Sequence, residues 1–519
     1  MIFNRKKTDE YSAFKESGLH QPPVMKKRKT FLQRFSFLNR NRFTRAIVNF
    51  FSNKTILKKI GVTLLIVIIF RALATVPLPG VDINIYRELF GTSTASETSY
   101  LFTLFTGGRL DTPSIVGLGL AAYINASIMM QLLPYIISRL KELQKEGERG
   151  KQIINQITRF ITFPLAFVYS IAYLLLLGNQ DISQTITTLP AGSYLIPRAD
   201  GATAPSILTI LFMALILAAG TVFLMWLSEI ITEKGLGNGA SIIISVGILA
   251  SLPALINQDL ARIDFGTIIA DLAAGSVAAL TNPYLVSLIA VLIGFVFVIL
   301  FIVFISESMR KILIQYARRV RGTDGGQGSF LPIKFTLTGV MPVIFAFALL
   351  SIPQLIIPII ESSVGPTPVI TALKGSFLFA SNDNVVDVQD TIYALVNFGL
   401  VVFFGVFYSF IVLNPKETAE NLQKSGAFVP GIRPGKSTEK YITGVLFRIS
   451  LVGSIFLAII ALIPIVGRNV IFQYTGTNIQ ILSGIGGTSI LIIVGVLLDT
   501  MRQYQSLVAT RSYERYLKK

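Results

Sequence analysis

The chain has 519 residues, 52% of them hydrophobic and only 14% charged, where an ordinary soluble domain carries about 25% charged residues. So much apolar surface cannot be hidden in one aqueous core, and the composition specifies a polytopic membrane protein. There is no cysteine, and the single histidine, His20, lies in a polar tail; disulfides, thiolate metal sites, thiol nucleophiles and imidazole catalysis within the membrane are therefore excluded.

Residues 1–55 read as a basic cytoplasmic tail, with RKK at 5–7, KKRK at 26–29 and Pro22-Pro23. Most of it lacks periodicity and is expected to be irregular and held at an anionic surface. It carries no pattern of a cleavable signal peptide. FLQRFSFLNRNRFTRAIVNFF (31–51) alternates bulky apolar residues with arginines, as an amphipathic helix lying on a membrane does.

Ten apolar spans follow, at 57–78, 115–137, 156–178, 206–228, 239–256, 284–305, 335–360, 390–413, 443–466 and 484–501. An even number puts both termini on one side. The segments on that side hold 38 Lys and Arg, the five opposite loops hold 6, so both termini are expected in the cytoplasm. The long exoplasmic link 257–283 divides the chain into an N-terminal half (56–256) and a C-terminal half (284–504), followed by a tail at 505–519. Five spans being an odd number, the second half should be inverted relative to the first.

Span 2 is unusual. Residues 115–137 have no charge, yet carry Asn125, Ser127 and Gln131; a loose apolar preface with Gly107-Gly108 precedes them and a charged run follows. A plain anchor needs none of this, and the pattern suggests an interior that must open. Span 7 begins with KFTLTGVMPVIF, where Thr336, Thr338 and Pro342 loosen the helix. No Asp or Glu lies at mid-depth in any span; Glu229 and Asp499 sit at cytoplasmic ends. An ion-driven carrier would need such a carboxylate. GLGNGAS (235–241) follows an apolar helix and lacks the spacing of a phosphate loop, so a tight turn between spans is expected.

Two cytoplasmic loops exceed what topology requires. Loop 306–334 contains RKILIQYARRVR, with helical or strand-like spacing, then GTDGGQG. Loop 414–441 has Asn414-Pro415 opening a helical turn, and PGIRPG holding Arg433 outward. Prominent basic loops suit a large anionic partner such as ribosomal RNA or an acidic protein surface.

Several long ordered stretches closely resemble the SecY family, whose members form the central subunit of the Sec protein-conducting channel. They are FRALATVPLPGVD (70–82), LFTGGRLDTPSIVGLGLAAYINASIMMQLL (104–133), LQKEGERGKQIINQITRF (143–160), MWLSEIITEKGLGNGASIIISVGILASLP (225–253), QYARRVRG (315–322), NPKETAENLQKSGAFVPGIRPG (414–435) and GIGGTSILIIVGVLLD (484–499). The resemblance implies an all-α polytopic membrane fold, ten transmembrane helices in two inverted five-helix halves around a central pore. It implies a ring of aliphatic side chains closing that pore, matched here by Leu120, Ile124, Ala240, Ile244, Met341 and Ile492. The family favours isoleucine in the ring, so Leu120, Ala240 and Met341 depart from its pattern, and Ala240 shortens one wall. Residues 103–114 match the family's plug, with Phe105, Gly107, Gly108 and Leu110. Spans 2 and 3 against 7 and 8 match its lateral gate, and Asn125, Gln131 and Thr336 are expected there, Asn125 where the family has a small hydroxyl residue. Loops 306–334 and 414–441 match the docking surface for the ribosome and the SecA motor ATPase, pointing to Arg433 and then Arg318, Arg319 and Arg321.

The implied function is passage of unfolded secretory polypeptides across a bacterial plasma membrane, with lateral release of transmembrane segments into lipid. The chain should hydrolyse nothing itself and need no cofactor or metal. The implied partners are SecE-type and SecG-type small membrane subunits, SecA, the ribosome, a signal-sequence-bearing polypeptide and the bilayer. The residues leave two other readings open: an inverted-repeat small-molecule secondary transporter, which needs a polar pocket at mid-membrane, and a non-conducting scaffold or insertase, which needs no aliphatic ring.

Overall fold

A computed structural model of the chain describes residues 54–81, 114–179, 196, 206–263, 283–316, 329–364, 367–369, 388–475, 481 and 487–517. The chain divides into residues 1–57 and a body of 58–519, and the packing below is that of the body. Tail residues 1–53 and the amphipathic stretch 31–51 lie outside the described residues.

Each of the ten predicted apolar stretches coincides with a helix. These are α1 (Lys54–Leu73), α2 (Ala121–Ile136), α4 (Glu148–Asn179), α5 (Ile207–Lys234), α6 (Gly239–Ala261), α7 (Pro283–Glu307), α8 (Met341–Val364), α9 (Val388–Val412), α11 (Lys436–Thr475) and α12 (Gly487–Leu517). Two short helices, α3 (Ser138–Lys145) and α10 (Pro415–Lys424), lie between them. Among the described residues six helices are long and apolar enough to cross a membrane alone, and the bent pair α2–α3 adds a seventh. α1 starts with Lys54, Lys58 and Lys59 and ends with Arg71, charges that dilute its apolar run. α7 is the most apolar of all and the least covered by protein, as expected of a helix that meets lipid on most sides.

The expected span 115–137 is not one straight helix. Residues 115–120 form turns, α2 occupies 16 residues, and at Ile137, in extended conformation, the chain bends by 103° into α3. Pro134 in the last turn of α2 removes a backbone donor and weakens the helix just where it ends.

The entry to α8 copies the entry to α2. Residues 335–340 are again turns. Two residues before each helix stands a glycine with positive φ, Gly119 at 54° and Gly339 at 60°, a left-handed conformation that costs a residue with a Cβ about 1–2 kcal/mol. Each glycine N–H donates to the carbonyl three residues back, Val116 at 2.8 Å and Thr336 at 3.2 Å. The first residue of each turn presses its backbone on a helix glycine: a methyl group on Gly220 of α5 would overlap the carbonyl of Ile115, and one on Gly453 of α11 would overlap that of Phe335.

Helix neighbours repeat in the same way. α2–α4, α4–α5, α5–α6 and α2–α5 pack together in the first half, and α8–α9, α9–α11, α11–α12 and α8–α11 in the second. Four helices of the second half therefore repeat the packing of four in the first.

Loop 306–334 proves to be a hairpin. β1 (Met309–Tyr316) pairs antiparallel with β2 (Ser329–Lys334), Leu313 facing Phe330, and with β3 (Ala427–Phe428), Gln315 facing Phe428 and Tyr316 facing Ala427. Ile312 and Ile314 are buried while Lys311, Leu313 and Gln315, which alternate with them, are exposed, the alternation of a strand covered on one face. α10 begins as its sequence predicts: the Asn414 side chain accepts from Lys416 N and Glu417 N, and Pro415 occupies the first turn.

Candidate central constriction and lateral gate

Two apolar clusters of the body share side chains. The first gathers Ile66 and Phe70 of α1, Leu120 and Ile124, and Leu224, Leu227, Ile242 and Ile243 of α5 and α6, with Ala240 and Ile244 at its margin. The second lies mostly in the C-terminal half, with Ile248 and Leu255 of α6 joining it, and holds Ile492, with Met341 at its margin. The six candidate ring residues are thus divided four and two between the halves. Four side chains belong to both clusters: Ile128, Ile244, Ile344 and Val496. Three of them stand one helical turn along from a candidate, Ile128 from Ile124, Ile344 from Met341 and Val496 from Ile492. The layer where the halves touch is therefore partly offset from the ring that motif matching gives. Ile128, Ile344 and Val496 were not singled out by the sequence; their spacing by three or four from the motif residues was the available signal.

The helices expected to form the gate pack against each other. α8 packs on both α2 and α4. Asn125, expected to face the opening, is only 7% exposed and donates from Nδ2 to the Tyr169 hydroxyl on α4 at 2.8 Å. Its amide thus ties two helices of the same half, which satisfies a polar group that would be costly unpaired in an apolar surround. Gln131 donates from Nε2 to Ser127 Oγ at 3.2 Å, one turn back, while its Oε1 is buried without a partner. Thr336 lies in the turn before α8, which begins at Met341 and not at the expected 335; there it lines a small cavity with Ser306, Asp499 and Arg502, among α7, α11 and α12.

Phe105, Gly107, Gly108 and Leu110 lie outside the described residues, as do Arg318, Arg319 and Arg321. Where the chain resumes, Ser114 forms an isolated bridge with Pro77, and Ile115 N donates to Val76 O at 3.1 Å. Arg433 is exposed, and its backbone carbonyl accepts from Thr438 Oγ1 at 2.9 Å. The pairing of β1 with β3 joins the two basic loops into one platform, which neither loop sequence reveals alone.

The turn 235–241 is structural. Three of its N–H groups are taken within the fold: Leu236 by Thr63 Oγ1 at 3.1 Å, Gly237 by Gln503 Oε1 at 2.8 Å and Gly239 by Thr232 Oγ1 at 2.9 Å. Those three donors are spent on the turn and not on cradling a phosphate. The carboxylates noted at span ends are held by arginines. Glu229 pairs with Arg159 at 2.8 Å; Asp499 pairs with Arg502 at 3.2 Å, and Arg502 also holds Glu307 and the carbonyl of Ser306.

α6 and α12 are joined at both ends. Gly237, just before α6, bonds Gln503 of α12. At the other end the carboxylate of Asp259, 4% exposed, accepts from the backbone N–H of Ile481, ahead of α12, at 2.8 Å.

Residues 114–501 match the SecY family model. The chain is similar to the protein translocase subunit SecY of Halalkalibacterium halodurans, 37% identical over 477 residues, covering 91% of this chain and 100% of that one. It is similar to the same subunit of Staphylococcus aureus, 37% identical over 473 residues, 91% and 98% covered. Among solved structures it shares the fold of a protein-conducting channel (TM-score 0.55, 18% identity, 87% and 93% covered). It also shares that of Sec61 in the canine ribosome–channel complex from the endoplasmic reticulum (TM-score 0.52, 17% identity, 87% and 93% covered).

Proposed function

This chain belongs to the SecY family, and from that premise we infer its work: it is the protein-conducting channel subunit of a translocase, passing unfolded polypeptides across the membrane and releasing apolar segments sideways. The observation that carries the reading is the meeting of the halves through Ile128, Ile244, Ile344 and Val496. A dry aliphatic layer excludes ions by dewetting, and flexible side chains can close around a passing chain. A small-molecule carrier would instead place polar ligands there.

We propose Leu120, Ile124, Ala240, Ile244, Met341 and Ile492 as the pore-facing ring, adjoining that layer. Residues 103–114 would act as the plug, tethered at Ser114. Asn125 and Gln131 belong to the gate helix α2. Within the proposed organisation, 257–283 links halves 56–256 and 284–504. The membrane is the bacterial plasma membrane, with both termini in the cytoplasm; the split of 38 to 6 basic residues supports that orientation. The β1–β3 platform and Arg433 then face the cytoplasm and would receive SecA or the ribosome, with Arg318, Arg319 and Arg321 beside them. SecE-type and SecG-type subunits would complete the complex. Arg433→Glu should lower SecA- or ribosome-dependent translocation at least tenfold, by setting like charge against an acidic partner. Unchanged translocation would remove Arg433 from the docking surface.

A further inference from the structure

Beyond the aliphatic layer, one ring contact crosses the gate. Tyr135 stands on the last turn of α2, next to Pro134 and just before the 103° bend. It is 54% exposed, yet its ring meets Phe407 of α9 at a centroid distance of 6.0 Å, tilted by 59°. α2 and α9 have few close backbone approaches, so long side chains bridge the gap. Phe407 is no isolated partner. It stacks on Phe403 at 5.9 Å, Phe403 meets Phe404 edge-on at 5.4 Å, and Phe404 meets Phe345 of α8 at 6.0 Å. Tyr408 closes on Phe345 at 5.3 Å. α8 and α9 are thereby bound into one block by rings. Among the described residues, Tyr135 is the ring that the first half contributes to that ladder.

We propose that the Tyr135–Phe407 pair is a latch holding the lateral gate shut, and that it sets how apolar a segment must be before it leaves the channel sideways. The inference rests on the channel reading above. A departing segment has to pass between α2 and the α8–α9 block, so it must part these two rings. The latch is weak by nature: aromatic pairs are worth only a small multiple of thermal energy beyond their buried area. It biases the gate without locking it. A half-exposed ring pair at the end of a kinked helix can also part without unfolding the helix behind it. The contact is carried by the ring and not by the tyrosine hydroxyl.

The test uses the full chain with its partner subunits and a substrate bearing a graded series of Leu/Ala segments. The readout is the ratio of membrane-inserted to fully translocated product. For a marginal segment, Tyr135→Ala should raise that ratio about two- to tenfold. Phe407→Ala should raise it similarly, and the double variant no further than either single change, as for two halves of one contact. Tyr135→Phe should leave the ratio unchanged. Additive single effects, no shift in Tyr135→Ala, or a fall in Phe407→Ala would overturn the latch. The chain has no cysteine, so Tyr135→Cys with Phe407→Cys provides a second measurement that does not depend on truncated side chains. Joining the two thiols with a short reducible crosslinker should block lateral insertion, and reduction should restore it; insertion that proceeds through the crosslink overturns the proposal. Wild-type protein that neither translocates nor inserts overturns the channel reading, and the latch with it.

Discussion

Asn125 and Tyr169 illustrate what one side chain does in this membrane interior. The amide and the hydroxyl satisfy each other at 2.8 Å and tie α2 to α4. Removing the amide strands a buried hydroxyl, which costs about 1–3 kcal/mol. Asn125→Leu should therefore lower the thermal midpoint of the purified channel by a few degrees, and Asn125→Leu with Tyr169→Phe should recover most of the loss. The sequence marked Asn125 as out of place in an apolar span, but its partner lies on another helix and could not be read from residue 125. The start of span 7 was misjudged for a different reason. The span was read from 335 onward, while the left-handed Gly339 delays the helix to Met341, and a glycine's φ is not written in its neighbours. In the proposed ring, the short side chain at position 240 would leave part of the wall to Ile244, one turn on in the same helix.

At the level of elements, the β1–β3 pairing decides how the cytoplasmic loops act. RKILIQYARRVR fits a helix or a strand by spacing alone. The strand prevails because β2 and β3 supply edges on both of its sides, and such partners lie outside any local window. Two separate loops thereby become one platform. Gln315→Pro should break the junction with β3 and weaken SecA or ribosome binding about tenfold, on the order of two lost hydrogen bonds. Ion tightness of the resting channel should stay as in wild type. Equilibrium binding and conductance of one preparation check both halves of that statement. The ten helices themselves were legible because apolar runs and basic loops alternate. The bend at Ile137 and the turns at 115–120 and 335–340 were not, since they interrupt the helix without interrupting the hydrophobicity.

Over the whole body, polar bonds and ring contacts lie on different seams. α6 and α12 are joined at one end by Gly237 and Gln503 and at the other by Asp259 and Ile481. Across the gate, aliphatic packing and the Tyr135–Phe407 pair hold the halves. Directional bonds keep their partners in register, whereas apolar surfaces slide and exchange partners, so opening should pivot about the pinned seam. Asp259→Ala removes a carboxylate–amide bond worth about 1.5–3 kcal/mol. It should lower thermal stability and give brief ion-conducting events without substrate, whereas Asp259→Glu should restore part of the effect. Two five-span halves were expected from the spacing of the apolar runs. A local repeat between them, the paired turns seated on Gly220 and Gly453, appears only once the helices are placed.

The central claim is that an aliphatic layer between the halves closes this channel at rest. The most direct measurement is ion conductance of the chain reconstituted with its small subunits in a planar bilayer, wild type against Leu120→Gly combined with Ile124→Gly. The account predicts a silent wild type and steady conductance in the variant, with both proteins folded and present in equal amounts. A variant as silent as wild type, or a wild type that conducts freely, would contradict it.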